Sequence, residues 1–466
     1  MSLLRKKKVA LMSGAGARHS ELRKVLGASD LVMLGLGAMV GTGIFVLTGV
    51  AALQAGPALA ISFILAATAC ALAALCYAEF ASMIPVAGSG YTYSYATLGE
   101  LVAWIVGWSL IAEYGLATAA VSVGWSGYFQ SLISGVGLHL PVALTAAPGT
   151  NAAGEVTLFN LPAFAIMMLI TAILSLGIRE SKRVNNVLVV VKVVVVLLVI
   201  GVGFFYVEPE NLTPYAPFGV SGVVSAAALV FFAFLGFDAV SSAAEEVRNP
   251  QRNLPIGLIG SLLICAALYA LVATVATGIV PFADFKGVED PIALVFQRAD
   301  IEWMSRLVSI AAVTGMMTVI LVMGYGLTRV VFAMSRDGLL PQWMSVINQH
   351  QVPVRSTWTL GTLSALIAAT VPLSALAELI NMGTLVAFAI ISLAVPVLRR
   401  TQPELKRAFR VPMAHILGPV SALICVVLML NLAVETWLAF GIWLAIGLVV
   451  YFGYSRRHAK VENLYD

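Results

Sequence analysis

Four glycines lie close together near the start of the first apolar stretch, at Gly35, Gly37, Gly41 and Gly43. Each glycine in a helix lowers helix stability by about 1 kcal/mol relative to alanine. Four glycines in one stretch therefore indicate a structural or functional role. One reason is close packing, because small residues three or four positions apart let helices approach each other in lipid. The other is an interruption near 41–43, which would expose main-chain amides that can bind an anion. The glycines alone leave both possibilities open.

A second apolar stretch contains a glycine and a carboxylate, and it reads Phe231-Phe232-Ala233-Phe234-Leu235-Gly236-Phe237-Asp238. It enters the membrane from the side opposite to the first glycine-rich stretch. Two interrupted helices at matching places in halves of opposite topology are typical of inverted-repeat transporters, whose binding site lies between the interruptions. We expect Asp238 to cap the helix that follows the interruption, with direct contact to a bound molecule as the alternative.

Lys192 is the only charged residue in a run of valines and leucines within residues 187–206. A lysine at the centre of a membrane helix costs about 2.5–3.5 kcal/mol. Its side chain could reach the nearer interface, roughly 8 Å away. It could instead stay buried and exchange a proton, because burial disfavours the charged form. The residues themselves do not separate these two interpretations.

Two glutamates also lie within apolar stretches. Glu113 is about 20 Å along its predicted helix, near the middle of the membrane. It is either a structural carboxyl paired with a neighbouring helix or part of a pocket wall that attracts a cationic side chain. Glu79 is expected to belong to a buried structural network of polar groups.

Histidine and cysteine show no catalytic or metal-binding pattern. The five histidines are scattered over tails, loops and the edges of apolar runs, and the four cysteines all lie inside such runs. There is no Ser/His/Asp set and no metal-ligand spacing, so the chain is predicted not to be an enzyme and to need no cofactor or metal. No charged ring or filter segment indicates a channel, and no disulfide framework is expected.

The composition is that of a membrane protein. Of the 466 residues 60% are hydrophobic and only 11% are charged, against about 25% charged in soluble domains. The apolar runs are continuous and near the ~20 residues that a membrane-spanning helix needs. The predicted spans are approximately 29–53, 57–83, 99–131, 161–178, 187–206, 221–244, 256–280, 303–334, 357–373, 376–398, 414–433 and 436–455.

The positions of lysine and arginine predict the orientation of these spans. Of the 27 basic residues, 22 fall in the tails 1–28 and 456–466 and in the loops on the same side. The opposite loops hold Lys286 and Arg298, with Arg306 at the edge of a span. Basic residues stay on the cytoplasmic side, so both tails are predicted to be cytoplasmic. No cleavable signal peptide is expected in 1–28, and no nucleic acid partner is expected, because no basic face is interleaved with aromatic residues.

Five strings in order along the chain carry a family resemblance: Gly41–Phe45, Tyr77–Phe80 continuing through Pro85–Tyr91, Phe232–Asp238, Glu245–Arg252 and Ala333–Pro341. From about residue 20 to 455 the chain resembles bacterial members of the cationic amino acid transporter family, in the amino acid–polyamine–organocation superfamily. The resemblance implies the leucine-transporter fold, an all-α integral membrane protein with twelve transmembrane helices. Five spans (29–206) would be followed by five inverted spans (221–398) and two extra helices (414–455).

The resemblance also implies a substrate site between the two interruptions. The carboxylate of an amino acid would bind main-chain amides around Thr42, Gly43 and Ile44, just after Gly41, since free helix N-termini favour an anion. Carbonyl groups around Phe232, Ala233 and Leu235 would bind the α-ammonium group, and Phe232 would close over the substrate.

Other roles depend on the same resemblance. In proton-coupled relatives a lysine at the position of Lys192 replaces the sodium ion of sodium-coupled relatives, so a proton is the expected coupling ion and no sodium site is expected. Glu113, Gly324 and Tyr269 would line the side-chain end of the pocket. Relatives often have a larger residue near Gly324, which would either leave volume for a longer substrate or serve close helix packing through Gly324 and Gly326.

The leading hypothesis is therefore a proton-coupled symporter that imports amino acids across the plasma membrane. A proton-independent amino acid exchanger is the alternative within transport, and an amino acid-sensing membrane receptor is the alternative from another class. Lys192 favours symport, because an exchanger does not need a titrating group there. The expected partners are the amino acid substrate and membrane lipid, without an obligate protein partner. The sequence leaves open whether the substrate is alanine-like, cationic or broad.

Overall fold

A computed structural model describes residues 26–83, 89–150, 154–176, 182–242, 244, 247–348 and 352–459, apart from the side chains of residues 89, 182–185, 239 and 242. Several residues used above lie outside this description. They are the basic residues of the N-terminal tail, Pro85–Gly88 and Glu245–Glu246 of the family strings, and Arg179 and Lys460 of the orientation argument.

Helices dominate the described residues. The first nine are α1 Ala28–Met39, α2 Thr42–Phe45, α3 Leu47–Ala55, α4 Leu59–Met83, α5 Ser89–Thr97, α6 Glu100–Ser134, α7 Leu161–Ser175, α8 Lys182–Gly203 and α9 Gly219–Val230. The others are α10 Ala239–Ser242, α11 Pro250–Ile279, α12 Pro291–Arg298, α13 Glu302–Arg336, α14 Val354–Thr370, α15 Leu373–Thr401, α16 Ala414–Leu430, α17 Val434–Val450 and α18 Arg456–His458. Two short antiparallel strands, β1 Gly149–Thr150 and β2 Val156–Thr157, join the end of α6 to α7.

Seven helical segments are long and apolar enough to cross a membrane, judged by length and composition. They are Leu47–Met83, Glu100–Ser134, Asn186–Tyr206, Pro250–Ile279, Glu302–Arg336, Leu373–Thr401 and Val434–His458. Shorter apolar helices are Ala28–Met39, Leu161–Ser175, Gly219–Phe234 and Ala414–Leu430. The chain is therefore a helical, multi-pass membrane protein.

Helical segments occur in each of the twelve stretches predicted from hydropathy, but the first and sixth stretches are not continuous helices. The first divides into α1, α2 and α3, and the sixth into α9, a tight 3₁₀ turn over Phe231–Phe234, and α10. α3 also runs into α4 through the short turn Gly56–Ala58. The interruptions fall at the glycines that the sequence analysis singled out.

The interrupted helices are enclosed by long ones. α1 packs against α8 and α11, and α9 packs against α3 and α4. The most extensive helix–helix packing joins α13 to α6 and α11 to α4. These helices place buried side chains around both interruptions. The main-chain polar groups freed at the interruptions are therefore shielded from the outer surface of the bundle.

Candidate functional site

The first interruption leaves main-chain donors without acceptors. α1 ends at Met39, and Val40 and Gly41 are extended before α2 begins at Thr42. The amides of Ile44 and Phe45 both donate to the Gly41 carbonyl, at 3.2 and 3.1 Å. Within the described residues the amides of Thr42 and Gly43 have no hydrogen-bond acceptor, as is usual for the first residues of a helix. These two N–H groups are therefore available to an anion.

Lys192 lies at the other side of the same interruption. Its side chain is 1% exposed, and its Nζ donates to the carbonyls of Gly37 at 3.1 Å and Val40 at 3.2 Å. These carbonyls belong to the C-terminal end of α1, where the helix dipole favours a positive charge. Gly315 of α13 makes room for the lysine, because a Cβ at that position would lie 3.0 Å from Lys192 Cε.

The second interruption depends on one glycine. After the turn Phe231–Phe234, Leu235 is extended and Gly236 has φ +101°, a conformation that L side chains rarely adopt. A Cβ on Gly236 would also lie 2.8 Å from Ala38 Cβ and 2.7 Å from Met323 Cε. The Phe232 carbonyl accepts from the Leu235 amide at 3.2 Å. Glycine is therefore required here for both its backbone freedom and its size.

The two interruptions touch each other. A Cβ on Gly43 would overlap the main chain of Ala233. The residues predicted to bind the carboxylate therefore contact those predicted to bind the ammonium group. Thr42 packs next to them, with its hydroxyl 3.5 Å from the sulfur of Met316. Phe232 is buried beside this contact and is 5% exposed.

Tyr269 lies behind the second interruption. Its ring packs against Phe234, with centroids 5.2 Å apart, and against Phe63, with centroids 5.6 Å apart. Its hydroxyl is buried without a hydrogen-bond partner in the described part of the chain. The tyrosine therefore supports the turn that carries Phe232 and Ala233.

Glu113 is completely buried, and neither of its carboxylate oxygens has a hydrogen-bond partner within the described ranges. The nearby hydroxyl of Thr384 donates to Ile380 C=O instead, at 3.0 Å. Glu113 is close enough to Asp238 for the two carboxyl groups to interact electrostatically. Tyr114, the next residue on α6, donates its hydroxyl to Asp238 Oδ2. Two carboxyl groups and a phenol are thus brought together just after the second interruption.

Gly324 is not part of that cluster. A Cβ at this position would lie 2.9 Å from Leu174 Cδ1 of α7 and 3.9 Å from Thr118 Cγ2 of α6. Leu327, about one turn further along α13, is buried as well. Gly324 therefore lies where α13 packs closely on α7, and a side chain added there would meet Leu174 first.

Asn381 of α15 is a residue that sequence reasoning missed. Its Nδ2 donates to the carbonyls of Ala228 at 2.8 Å and Leu229 at 3.1 Å, in the last turn of α9. The interruption deprives such carbonyls of helical donors, and the amide supplies them. The available signal was a polar amide inside an apolar stretch, which is rare in membrane helices and usually has a purpose.

The arrangement offers donors from one interruption and main-chain acceptors from the other, at a point where the two are in contact. That combination suits a small zwitterion, since an amino acid carries both a carboxylate and an ammonium group. In the searched part of the chain, no group of three or more His, Cys, Asp or Glu could hold a metal ion.

Comparison with known proteins shows which family the chain belongs to. Residues 26–453 match the family described as amino acid permease. The chain is 57% identical to the branched-chain amino acid permease BcaP of Bacillus subtilis (strain 168), over 99% of each chain. It is 51% identical to the methylthioribose transporter of the same organism, over 99% of this chain and all of that one.

A plant relative extends the comparison to the family suggested by the sequence strings. The chain is 39% identical to the vacuolar cationic amino acid transporter 2 of Arabidopsis thaliana, over 86% of this chain and 64% of that one. All three relatives are named as permeases or transporters, in agreement with the prediction that the chain is not an enzyme. The chain belongs to the amino acid permease family of the amino acid–polyamine–organocation superfamily.

Proposed function

We propose that this permease is a secondary active transporter that imports amino acids across the plasma membrane by proton-coupled symport. The observation that carries the proposal is the position of Lys192, buried and bonded to the carbonyls of Gly37 and Val40 at the edge of the first interruption. A group that can lose a proton there is in contact with the same chain segment that offers free amides to a substrate.

The substrate is held between the two interruptions. Its carboxylate binds the amides of Thr42 and Gly43, with Ile44 completing the turn, and its ammonium group binds carbonyls around Ala233 and Leu235. The contact between Gly43 and Ala233 supports this arrangement, because it keeps donors and acceptors within the length of one amino acid. Phe232 closes over the bound substrate and Glu113 lies at its side-chain end, while Tyr269 supports the turn from behind and Gly324 serves the packing of α13 on α7.

Proton coupling follows from the two states of Lys192. As an ammonium ion it ties the end of α1 to α8 through two carbonyls. As a neutral amine it offers these carbonyls weaker hydrogen bonds, so α1 is freer to move relative to α8. Loading and release of the proton on Lys192 therefore shift the first interruption between two conformations, as alternating access requires. A proton replaces sodium as coupling ion, and no sodium site is involved.

The proposal also covers the number of transmembrane helices and their orientation in the membrane. Twelve spans form five plus five inverted helices and two extra helices, and both tails are cytoplasmic. The matching interruptions in the first and sixth stretches support the inverted repeat, and the one-sided distribution of lysine and arginine supports the orientation.

For the substrate class we propose neutral aliphatic amino acids with branched side chains. The relative with 57% identity is named as a branched-chain amino acid permease. A cationic substrate is the competing possibility, because Glu113 has no hydrogen-bond partner within the described residues and lies near a second carboxyl group, that of Asp238. A sugar-like substrate is the second candidate, because the relative with 51% identity is named as a methylthioribose transporter.

The test is uptake of radiolabelled leucine into proteoliposomes with and without an inward proton gradient. We expect the gradient to drive accumulation by the wild type, and Lys192→Ala to abolish this accumulation while leaving leucine binding measurable by calorimetry. Lys286→Ala, which removes an exposed loop lysine, serves as the control. Normal proton-driven uptake by Lys192→Ala would refute the coupling role.

Additional arms of this assay separate the alternatives. Uptake that needs internal amino acid but no gradient would indicate an exchanger, and binding without any uptake would indicate a receptor. Competition by valine but not by arginine or methylthioribose is expected. Strong competition by arginine would move the assignment to a cationic substrate, and competition by methylthioribose alone would remove the carboxylate from the recognition scheme.

A further inference from the structure

A groove of about 580 Å³ lies at the start of α11. One wall is formed by Arg252, Ile256 and Ile259 of α11, and the other by Ala408 and Phe409 in the loop between α15 and α16. Its volume is within the ~300–1,000 Å³ of ordinary ligand pockets. It is open to the outside of the bundle.

The loop wall of this groove is held firmly in place. Glu79 of α4, whose side chain is 1% exposed, accepts hydrogen bonds from Arg399 Nε at 2.9 Å and from the Val411 amide at 2.8 Å. Arg407 Nε lies 3.4 Å from the same carboxylate. Ala408 and Phe409 lie between these anchored residues, so their position is set by a buried ion pair rather than left to a free loop.

The groove combines an apolar floor with a basic entrance. Ile256 is 43% exposed although it is a large hydrophobic residue. Arg252 lies one turn before Ile256, and Lys406 and Arg410 are exposed on the loop beside Ala408 and Phe409. In 247–260 and 402–411 the only acidic residue is Glu404. Such a surface complements a negatively charged head attached to an apolar chain.

The main chain offers one further polar group at the entrance. Pro255 lies inside α11 and has no N–H, so it cannot donate to the carbonyl of Gln251 as a helical residue normally would. Gln251 lines the groove together with Arg252. Its carbonyl can accept a hydrogen bond from a hydroxyl-bearing head group.

We propose that the groove binds one anionic phospholipid of the cytoplasmic leaflet. The phosphate lies at Arg252, and an acyl chain runs along Ile256 and Ile259 against Phe409. The assignment uses the orientation proposed above, in which the basic loops face the cytoplasm. Basic pockets at that face of membrane proteins are known to bind anionic head groups, and the apolar floor explains why the ligand is a lipid rather than a free phosphate.

The test measures lipid binding to the purified full-length protein by native mass spectrometry. The probes are phosphatidylglycerol and phosphatidylcholine with identical acyl chains. We expect one tightly retained phosphatidylglycerol, bound about five-fold more strongly than phosphatidylcholine, since one basic residue near an anionic head contributes about 1 kcal/mol. Transport is not needed for this readout, so a failure of the proposed symport would leave the result unaffected.

Variants on both walls locate the site. Arg252→Gln should weaken phosphatidylglycerol binding about five-fold and leave phosphatidylcholine unchanged. Ala408→Trp and Ile256→Trp fill the groove from the loop and from α11, and each should remove the tightly retained lipid. The controls are Arg355→Gln and Ala283→Trp, which alter exposed residues elsewhere and should change nothing. Melting curves of every variant confirm that it is folded.

Three outcomes would overturn the proposal. Equal retention of the two lipids would mean that the groove holds ordinary bulk lipid. Equal effects of Arg252→Gln and Arg355→Gln would mean that the whole basic surface attracts anionic lipid without a defined site. Displacement of the bound lipid by free glycerol phosphate would mean that the site recognises a soluble phosphate.

Discussion

At the scale of single residues, Lys192 depends on a neighbour that has no side chain. Gly315 of α13 faces the lysine stem, and a Cβ there would lie 3.0 Å from Cε and 3.3 Å from Cγ. Such distances are too short for an ordinary contact, so the lysine would have to move. Because its ammonium group is 3.1 and 3.2 Å from its two carbonyl partners, a small movement weakens both bonds.

We therefore expect Gly315→Ala to lower proton-driven accumulation about ten-fold, which corresponds to the ~1–3 kcal/mol cost of overpacking. Substrate binding without a gradient should change much less, because the proposed substrate site does not include Gly315. The measurement is uptake as a function of external pH, compared with Gly201→Ala on α8, where a Cβ meets nothing within 4 Å. A pH profile identical to that of the wild type would show that the lysine tolerates displacement.

At the scale of elements, the proposed substrate site depends on two interrupted helices that touch at Gly43 and Ala233. An added Cβ at Gly43 would strike main-chain atoms of Ala233, and main chain cannot turn aside as a flexible side chain can. The two interruptions would have to separate, which moves the amides of α2 away from the carbonyls of the turn.

Gly43→Ala should therefore reduce binding of every amino acid substrate by a similar factor, about ten-fold or more, because the α-carboxylate and α-ammonium groups are common to all of them. Isothermal titration with leucine, valine and alanine provides the measurement, with Gly441→Ala as a control in open space. Selective loss of one substrate would instead assign Gly43 to side-chain recognition.

A second element-scale prediction concerns the ion pair of Glu79 with Arg399 and Arg407. Glu79→Gln leaves two arginines near a neutral partner, and removing one member of a buried pair costs about 3–5 kcal/mol. We expect a clear drop in melting temperature. Glu302→Gln breaks an exposed pair with Arg306, which contributes about 0–1 kcal/mol, and should leave the melting temperature nearly unchanged. Similar shifts for both variants would contradict the structural role of Glu79.

The positions of the interruptions could be predicted from sequence, because glycine runs inside apolar stretches are costly unless they serve a purpose. The partners of the functional residues could not. Tyr114 looks like an ordinary core aromatic until the fold places its hydroxyl against Asp238. Asn381 and the carbonyls of α9 are more than 150 residues apart in sequence. Only tertiary packing brings such pairs together, and no local sequence pattern indicates which residues will pair.

At the scale of the whole molecule, hydropathy located helical stretches well because lipid demands long apolar helices whatever their neighbours are. It also treated the first and sixth stretches as spans with internal breaks, and the structure resolves each into separate helices. The orientation remains a prediction, since it depends on the distribution of charge relative to a membrane.

Cysteine labelling in intact cells tests that orientation. The four native cysteines are all buried and should not react with a membrane-impermeant maleimide. Lys286→Cys, on an exposed loop predicted to face outward, should be labelled in intact cells. Lys406→Cys, exposed on the opposite loops, should be labelled only after the membrane is permeabilised. The reversed pattern would mean that the chain is inserted the other way round.

The partners of Lys192 have a consequence for how this permease can evolve. Two of them are main-chain carbonyls, of Gly37 and Val40, and every residue has such a carbonyl whatever its side chain. The side chain at position 40 can therefore change without breaking the bond to its carbonyl, and a new side chain there does not restore that bond once the lysine is lost. In a library of double mutants, Lys192 should be intolerant of substitution yet show no coupling to position 40. A search for correlated substitutions would then overlook a contact to which we assign a role in the proposed proton coupling.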